Sequence, residues 1–217
     1  DLKSFTTSEI IEIPNSGGNH SSPYCTENTE YMVAGGRFSI PIGDKKDVPI
    51  SSYKENFKGV LSLVKIGKED GKLDLAVQIV LPPFDYDKVR GGKGPSKDWF
   101  FFTCYNSEKA NTMLEVNASQ NDKDFVLAVN WKKAIEYLEA GKAKDMNTPY
   151  CHNRYDESTQ TATSEIIKSV KMLDPKDCPG MLYYMPCPKS PHGCDVSPDG
   201  EYITASGKLA AMIPVFS

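Results

Sequence analysis

Histidine is scarce in this sequence, with 3 in 217 residues, and tryptophan occurs only 2 times. Any site built on imidazole must therefore draw on His20, His152 and His192. No apolar run approaches the ~18 residues of a membrane-crossing helix, so no span is expected. Lysine and arginine never cluster and the formal net charge is -4. The basic face that a phosphate backbone requires is missing, which excludes nucleic acid as the expected partner. The 6 cysteines, Cys25, Cys104, Cys151, Cys178, Cys187 and Cys194, contain no CxxC pair. That argues against a zinc ribbon or a thioredoxin-like site and leaves disulfides and buried free thiols both open. No signal peptide and no initiator Met precede Asp1. The last apolar run, AAMIPVF, is followed by one Ser, and a strand stopping in mid-run has no partner. Both ends therefore read as cut, and the chain as an internal fragment of a longer protein.

What is present is a series of short strands punctuated by turns. Ile10 to Ile13, Tyr31 to Val33, Arg37 to Ile42, Gly59 to Ile66, Leu73 to Leu81, Trp99 to Cys104 and Phe125 to Asn130 have strand character, as do Leu182 to Met185, Gly193 to Val196 and Glu201 to Ala205. KIGKEDGKLDL predicts a hairpin bending at Glu69, Asp70 and Gly71. One helix stands out, capped by Asn130, sharing a face among Trp131, Ile135 and Leu138, and ended by Gly141. Asp85 to Lys97 and Lys142 to Thr163 are polar and predicted as loops. Short strands with little helix mean a sandwich, barrel or propeller. HGCDVSPDGEYITASGKL, a strand, an SPDG turn and a returning strand, favours the propeller. At ~40–45 residues per blade, this length holds about half of a ring. The expected fold is all-β: a partial, open β-propeller with loop insertions and one short helix.

His192 stands between Pro191 and Gly193 at the entry to the SPDG hairpin, where the glycine leaves room beside the imidazole. His20 ends PNSGGNH, a loop of small residues that lets the backbone approach a ligand closely. His152 has no companion pattern and is taken as a surface residue. A turn centred between Pro198 and Asp199 returns residue 205 opposite residue 192. That places Lys208 at the same end of the hairpin, roughly 10 Å beyond it, where its cation can hold an anion or donate a proton. Glu108, Glu115, Asp122 and Asp124 flank a loop rich in Asn and Ser, whose hard oxygens suit calcium without forming an EF-hand. On residues alone, solvated or structural roles remain the ordinary alternative for all of these.

PNSGGNH, NTEYMVAGGRFSIPI, FTCYNSEKA, NDKDFVLAVN and MPCPKSPHGCDVSPDGEYITASGKLAAMIPV follow one another in this order. The series resembles nitrous oxide reductase, from about Ile13 to the last residue, with long insertions unmatched. NTEYMVAGGRFSIP and SPHGCDVSPDGEYI are more similar to the Sec-exported, atypical branch of that family. The resemblance implies a seven-bladed propeller followed by a cupredoxin domain, in a periplasmic head-to-tail homodimer. Residues 1–217 would then be part of the N-terminal propeller, with the cupredoxin domain and the signal peptide absent. It also implies a four-copper, sulfide-bridged cluster held by seven histidines, a two-copper centre in the cupredoxin domain, and reduction of nitrous oxide to dinitrogen and water. The electron donor would be a c-type cytochrome or a cupredoxin. Carried over by position, His20 and His192 match copper ligands and Lys208 the lysine near the open edge of the cluster. Tyr105, through its carbonyl, Glu108 and Asp124 match ligands of a structural calcium, with Ser190 where the best-known branch has Asn. The rival expectations are a propeller that only binds a protein or glycan, with His20 and His192 on unrelated surfaces, and a quinone or haem enzyme. The second lacks CxxCH and a tryptophan-rich cofactor floor.

Overall fold

A computed structural model describes residues 3, 9, 11–20, 23–42, 48–105, 124–147 and 169–217. The strands gather into three sheets. In the first sheet, β1 (Tyr24–Cys25), β2 (Tyr31–Gly35), β4 (Phe57–Ile66) and β5 (Leu73–Leu81) lie side by side, with β3 (Ile40–Pro41) also on β4. A short helix, α1 (Tyr53–Asn56), leads into β4. The second sheet runs β6 (Asp85–Gly91), β7 (Trp99–Tyr105), β8 (Asp124–Asn130) and, later in the chain, β11 (Leu182–Cys187). The third is β12 (Cys194–Val196), β13 (Ile203–Ala205) and β14 (Val215–Phe216). The all-β character is as expected, and among the described residues none of the three sheets closes on itself.

The second sheet is the middle layer. The run WFFFTCY of β7 explains this, because a strand buried on both faces shows no polar alternation. Phe100, Phe102 and Cys104 pack with Leu61, Leu63, Val77 and Ile79 of the first sheet. Phe101, between them, faces the other way onto Cys194, Val196, Ile203 and Ala205 of the third. Each fully buried Phe or Leu contributes about 1.5–3 kcal/mol, so these two cores fix the stacking of the sheets. The opening strands β1 and β12 both lie against β6, which draws the starts of the three sheets together.

The helix α2 (Trp131–Glu139) forms as predicted: the Asn130 side chain accepts from the Lys133 N–H, and Gly141 takes a positive φ of 70°. Both hairpins also form, and Gly71 and Gly200 supply the left-handed turn residues. Other expectations need correction. Residues 11–13 are not a strand, and the stretch from Arg37 to Ile42 keeps only β3. The polar stretch beginning at Asp85 opens with the strand β6, whose Asp85 and Asp87 are buried rather than solvated. From the expected loop after Lys142, β9 (Lys144–Asn147) emerges as strand. It pairs antiparallel with β10 (Ser169–Leu173), and β10 adds in parallel to the outer strand β5, Met172 opposite Gln78. A hairpin inserted between β8 and β11 of the second sheet thus covers the edge of the first. The five described cysteines, Cys25, Cys104, Cys178, Cys187 and Cys194, are free thiols. Glu108, Glu115, Asp122, Cys151 and His152 lie outside the described residues.

Candidate functional site

The site begins with an irregularity in β6. Tyr86 pairs with Cys104 and Val89 with Phe102, so Asp87 and Lys88 together face the single residue Thr103. Such a bulge re-aims a side chain, and here it turns Asp87 inward, leaving its side chain 3% exposed. Thr103 closes the bulge by accepting from the Lys88 N–H at 2.9 Å. Its hydroxyl also reaches the carbonyl of His192 at 3.2 Å, so the residue that fits the bulge also holds the histidine segment.

His192 is fixed by backbone bonds on both sides. The Ser190 N–H donates to Asp124 Oδ2 at 2.7 Å. Gly193 exchanges bonds with Ser206, donating to its Oγ at 2.9 Å and accepting from its N–H at 2.8 Å. The Lys208 N–H donates to the Ser190 carbonyl at 2.9 Å. The hairpin register differs slightly from the expected one: Ala205 pairs with Cys194 rather than residue 192. The reason is that the Ser197 N–H closes onto the Tyr202 carbonyl, centring the turn between Asp199 and Gly200. Lys208 therefore lies beside Ser190 instead of well beyond the histidine, with an exposed side chain.

The loop of His20 is held from below. Buried Gln78 donates to the Pro14 carbonyl at 2.7 Å and to Ser62 Oγ at 2.9 Å, and accepts from Asn15 Nδ2 at 3.0 Å. Gly17 rests on Phe38, where an added Cβ would meet the Phe38 carbonyl oxygen at 2.5 Å. Small residues in this loop serve its close approach to the sheet.

These two histidines, 172 residues apart in sequence, meet at one carboxylate. His20 Nδ1 lies 3.1 Å from Asp87 Oδ1, and His192 Nε2 lies 3.3 Å from Asp87 Oδ2. Both imidazoles are about half-exposed, at 48% and 47%, above the buried acid. The short contact at Oδ1 is not aligned as a hydrogen bond, so that buried oxygen has no donor. Two imidazoles beside a carboxylate are donors of a kind that transition metals accept, copper among them. Among the described residues, no three His, Cys, Asp or Glu side chains are arranged to hold a metal ion by themselves. His20 and His192 share one carboxylate and do not occupy the unrelated surfaces that a purely protein-binding propeller predicts.

Three of the residues expected at calcium lie among the described ones. Tyr105 pairs with Asp85 and Asp124 with Cys187, at one end of the second sheet. Asp124 and Ser190 are joined directly, with Ser190 in a left-handed conformation, φ 57°. Glu108 lies outside the described residues. Burial first, and the charge of Asp124 second, push the neighbouring thiol of Cys104 well up and that of Cys187 to about 12.

Asp87 and Arg37 are the site residues that sequence reasoning missed. Asp87 stood in a polar stretch predicted to be solvated, and no signal separated a buried bulge from a loop.

Stacked antiparallel sheets that bring two histidines to one buried carboxylate define this chain's class. Within it, similarity points in one direction. The chain is 25% identical to the nitrous-oxide reductase of Pseudomonas fluorescens over 215 residues, covering 96% of this chain and 29% of that protein. To the nitrous-oxide reductase of Cupriavidus necator it is 24% identical over 220 residues, covering 96% and 30%. To that of Stutzerimonas stutzeri it is 30% identical over 111 residues, covering 50% and 14%. The chain thus spans under a third of the length of these relatives. No family model matches it. Among the described residues, no helix is long and apolar enough to cross a membrane.

Proposed function

We propose that this chain is part of a nitrous-oxide-reducing oxidoreductase and that His20 and His192 supply two of the imidazoles of its copper cluster. The observation that carries this reading is the meeting of both histidines at Asp87, from loops far apart in sequence. Copper bound there would supply the electrons and the Lewis acidity for cleaving the N–O bond. The chain's own residues do the rest. Asp87 orients the two rings, as carboxylates behind metal-binding histidines commonly do. Thr103, Asp124 and Ser206 hold the His192 backbone, and Gln78 holds the loop of His20. Lys208, exposed at the same hairpin end, donates a proton or hydrogen bond to the substrate oxygen. Tyr105, Glu108, Asp124 and Ser190 would hold a calcium ion that stiffens the segment before His192. The remaining ligands, the electron-entry centre, the seven-bladed ring, the homodimer, the periplasmic setting and membership of the atypical branch belong to the same proposal.

The test uses the full-length protein, loaded with copper by its maturation machinery, and follows nitrous oxide consumption under a reductant. His192→Ala is expected to lose cluster absorption and activity together. Lys208→Ala is expected to keep the cluster and lose about 100-fold or more in turnover, the usual contribution of a positioned proton donor. Full copper and full activity in His192→Ala would refute the ligand assignment and favour a binding propeller.

A further inference from the structure

We infer that Arg37 is a positioning residue, holding Asp87 between His20 and His192 and tying that pair to the buried ring of Tyr105 at the end of β7; the inference rests on the copper reading above. Arg37 follows β2, and its main chain joins two of the elements that build the site. Its N–H donates to the Gly18 carbonyl at 2.6 Å, in the loop of His20, and its carbonyl accepts from the Tyr86 N–H at 2.9 Å, next to Asp87. The side chain returns to the same place. Nη1 donates to the Tyr86 carbonyl at 2.8 Å and lies 3.7 Å from Asp87 Oδ2. The guanidinium carbon is 4.6 Å from the Tyr105 ring centroid and 5.2 Å from that of Phe38.

The chemistry of arginine suits this place. A planar guanidinium stacks on an aromatic face and donates from its edge at the same time, which a lysine ammonium does not do. A carboxylate as buried as Asp87 needs a compensating charge, and its other near neighbours, two half-exposed imidazoles, are the groups proposed for copper. Arg37 provides a permanent cation at Oδ2, the oxygen that His192 also approaches. Tyr105 closes the linkage: it ends β7, buried, opposite Asp85. A movement of Tyr105 is therefore passed to Asp87 through one side chain.

The experiment compares Arg37→Gln, Arg37→Lys, Tyr105→Leu and the Arg37→Gln/Tyr105→Leu double variant in the full-length copper-loaded protein, with His192→Ala alongside. Copper retained under a stepwise chelator challenge, the visible absorption spectrum and the thermal midpoint are read for each. Arg37→Gln is expected to weaken copper retention about 10-fold or more, the usual cost of losing a group behind a ligand, and to shift the visible bands. Arg37→Lys should recover only part of that loss. Tyr105→Leu should shift the same bands, and the double variant should be no worse than Arg37→Gln alone, since coupled residues are not additive. Wild-type retention and spectrum in a folded Arg37→Gln protein would overturn the inference, as would strictly additive losses. If Arg37→Gln fails to fold, an unchanged spectrum in Tyr105→Leu overturns it instead. Intact copper in His192→Ala would sink the copper reading itself, a separate result from wild-type behaviour confined to the Arg37 variants.

Discussion

At the scale of single residues, buried polar and thiol groups govern how the chain responds to pH. Burial pushes both Cys187 and Cys194 up to about 12, while an unfolded thiol titrates near roughly 8.5. The unfolded chain then releases these protons first. The stability the thiols contribute is fully present below roughly pH 8.5 and is lost as the pH rises toward about 12. Chemical denaturation followed across this range should show a falling midpoint, and Cys187→Ser/Cys194→Ser should flatten the fall; an unchanged slope would remove the thiols from the account. The surroundings of His20, His192 and Lys208 left a structural or solvated role the ordinary reading, and the family resemblance alone singled them out. Asp87 was not legible, because a carboxylate followed by Lys88 and Arg90 has the composition of a surface loop.

At the scale of elements, hairpins and helix α2 were legible because turn and cap residues act locally. The SPDG hairpin was off by two positions in register, since a main-chain bond from Ser197 to Tyr202 decides where the turn centres. β6 was illegible for a different reason: a bulge breaks the two-residue alternation by which strands are read. The same bulge depends on its packing. Tyr86, beside Asp87, is fully buried and stacks on Phe102, with ring centroids 4.9 Å apart. Gly59 of β4 lies flat against it, and an added Cβ would meet the Tyr86 ring at 2.3 Å. Gly59→Ala should therefore cost about 1–3 kcal/mol by overpacking, read as a lowered denaturation midpoint. It should also disturb Asp87. A stability loss without any change in copper retention would separate the core from the site.

At the scale of the whole molecule, the candidate site is assembled at the meeting of sheet entrances. The loop before β1, the bulge of β6 and the segment before β12 each contribute one member of the His20, Asp87 and His192 set. None of the sheets contains the site alone, which is why no single motif announced it. The β9–β10 hairpin bears on the same assembly from the far side, with Met172 and Leu173 seated on Gln78 and Ile79 of β5. Gln78 is also the residue that holds the His20 loop. This has a temporal consequence. During synthesis, the edge of the first sheet remains open until nearly a hundred further residues have emerged, and contacts that distant in sequence form slowly. In refolding with pulsed hydrogen exchange, amides in the β5–β10 seam should gain protection after those of the β4–β5 hairpin. The loop of His20 would then settle late, and the copper loading proposed above would have to wait for the closing of a seam at the opposite margin of the sheet.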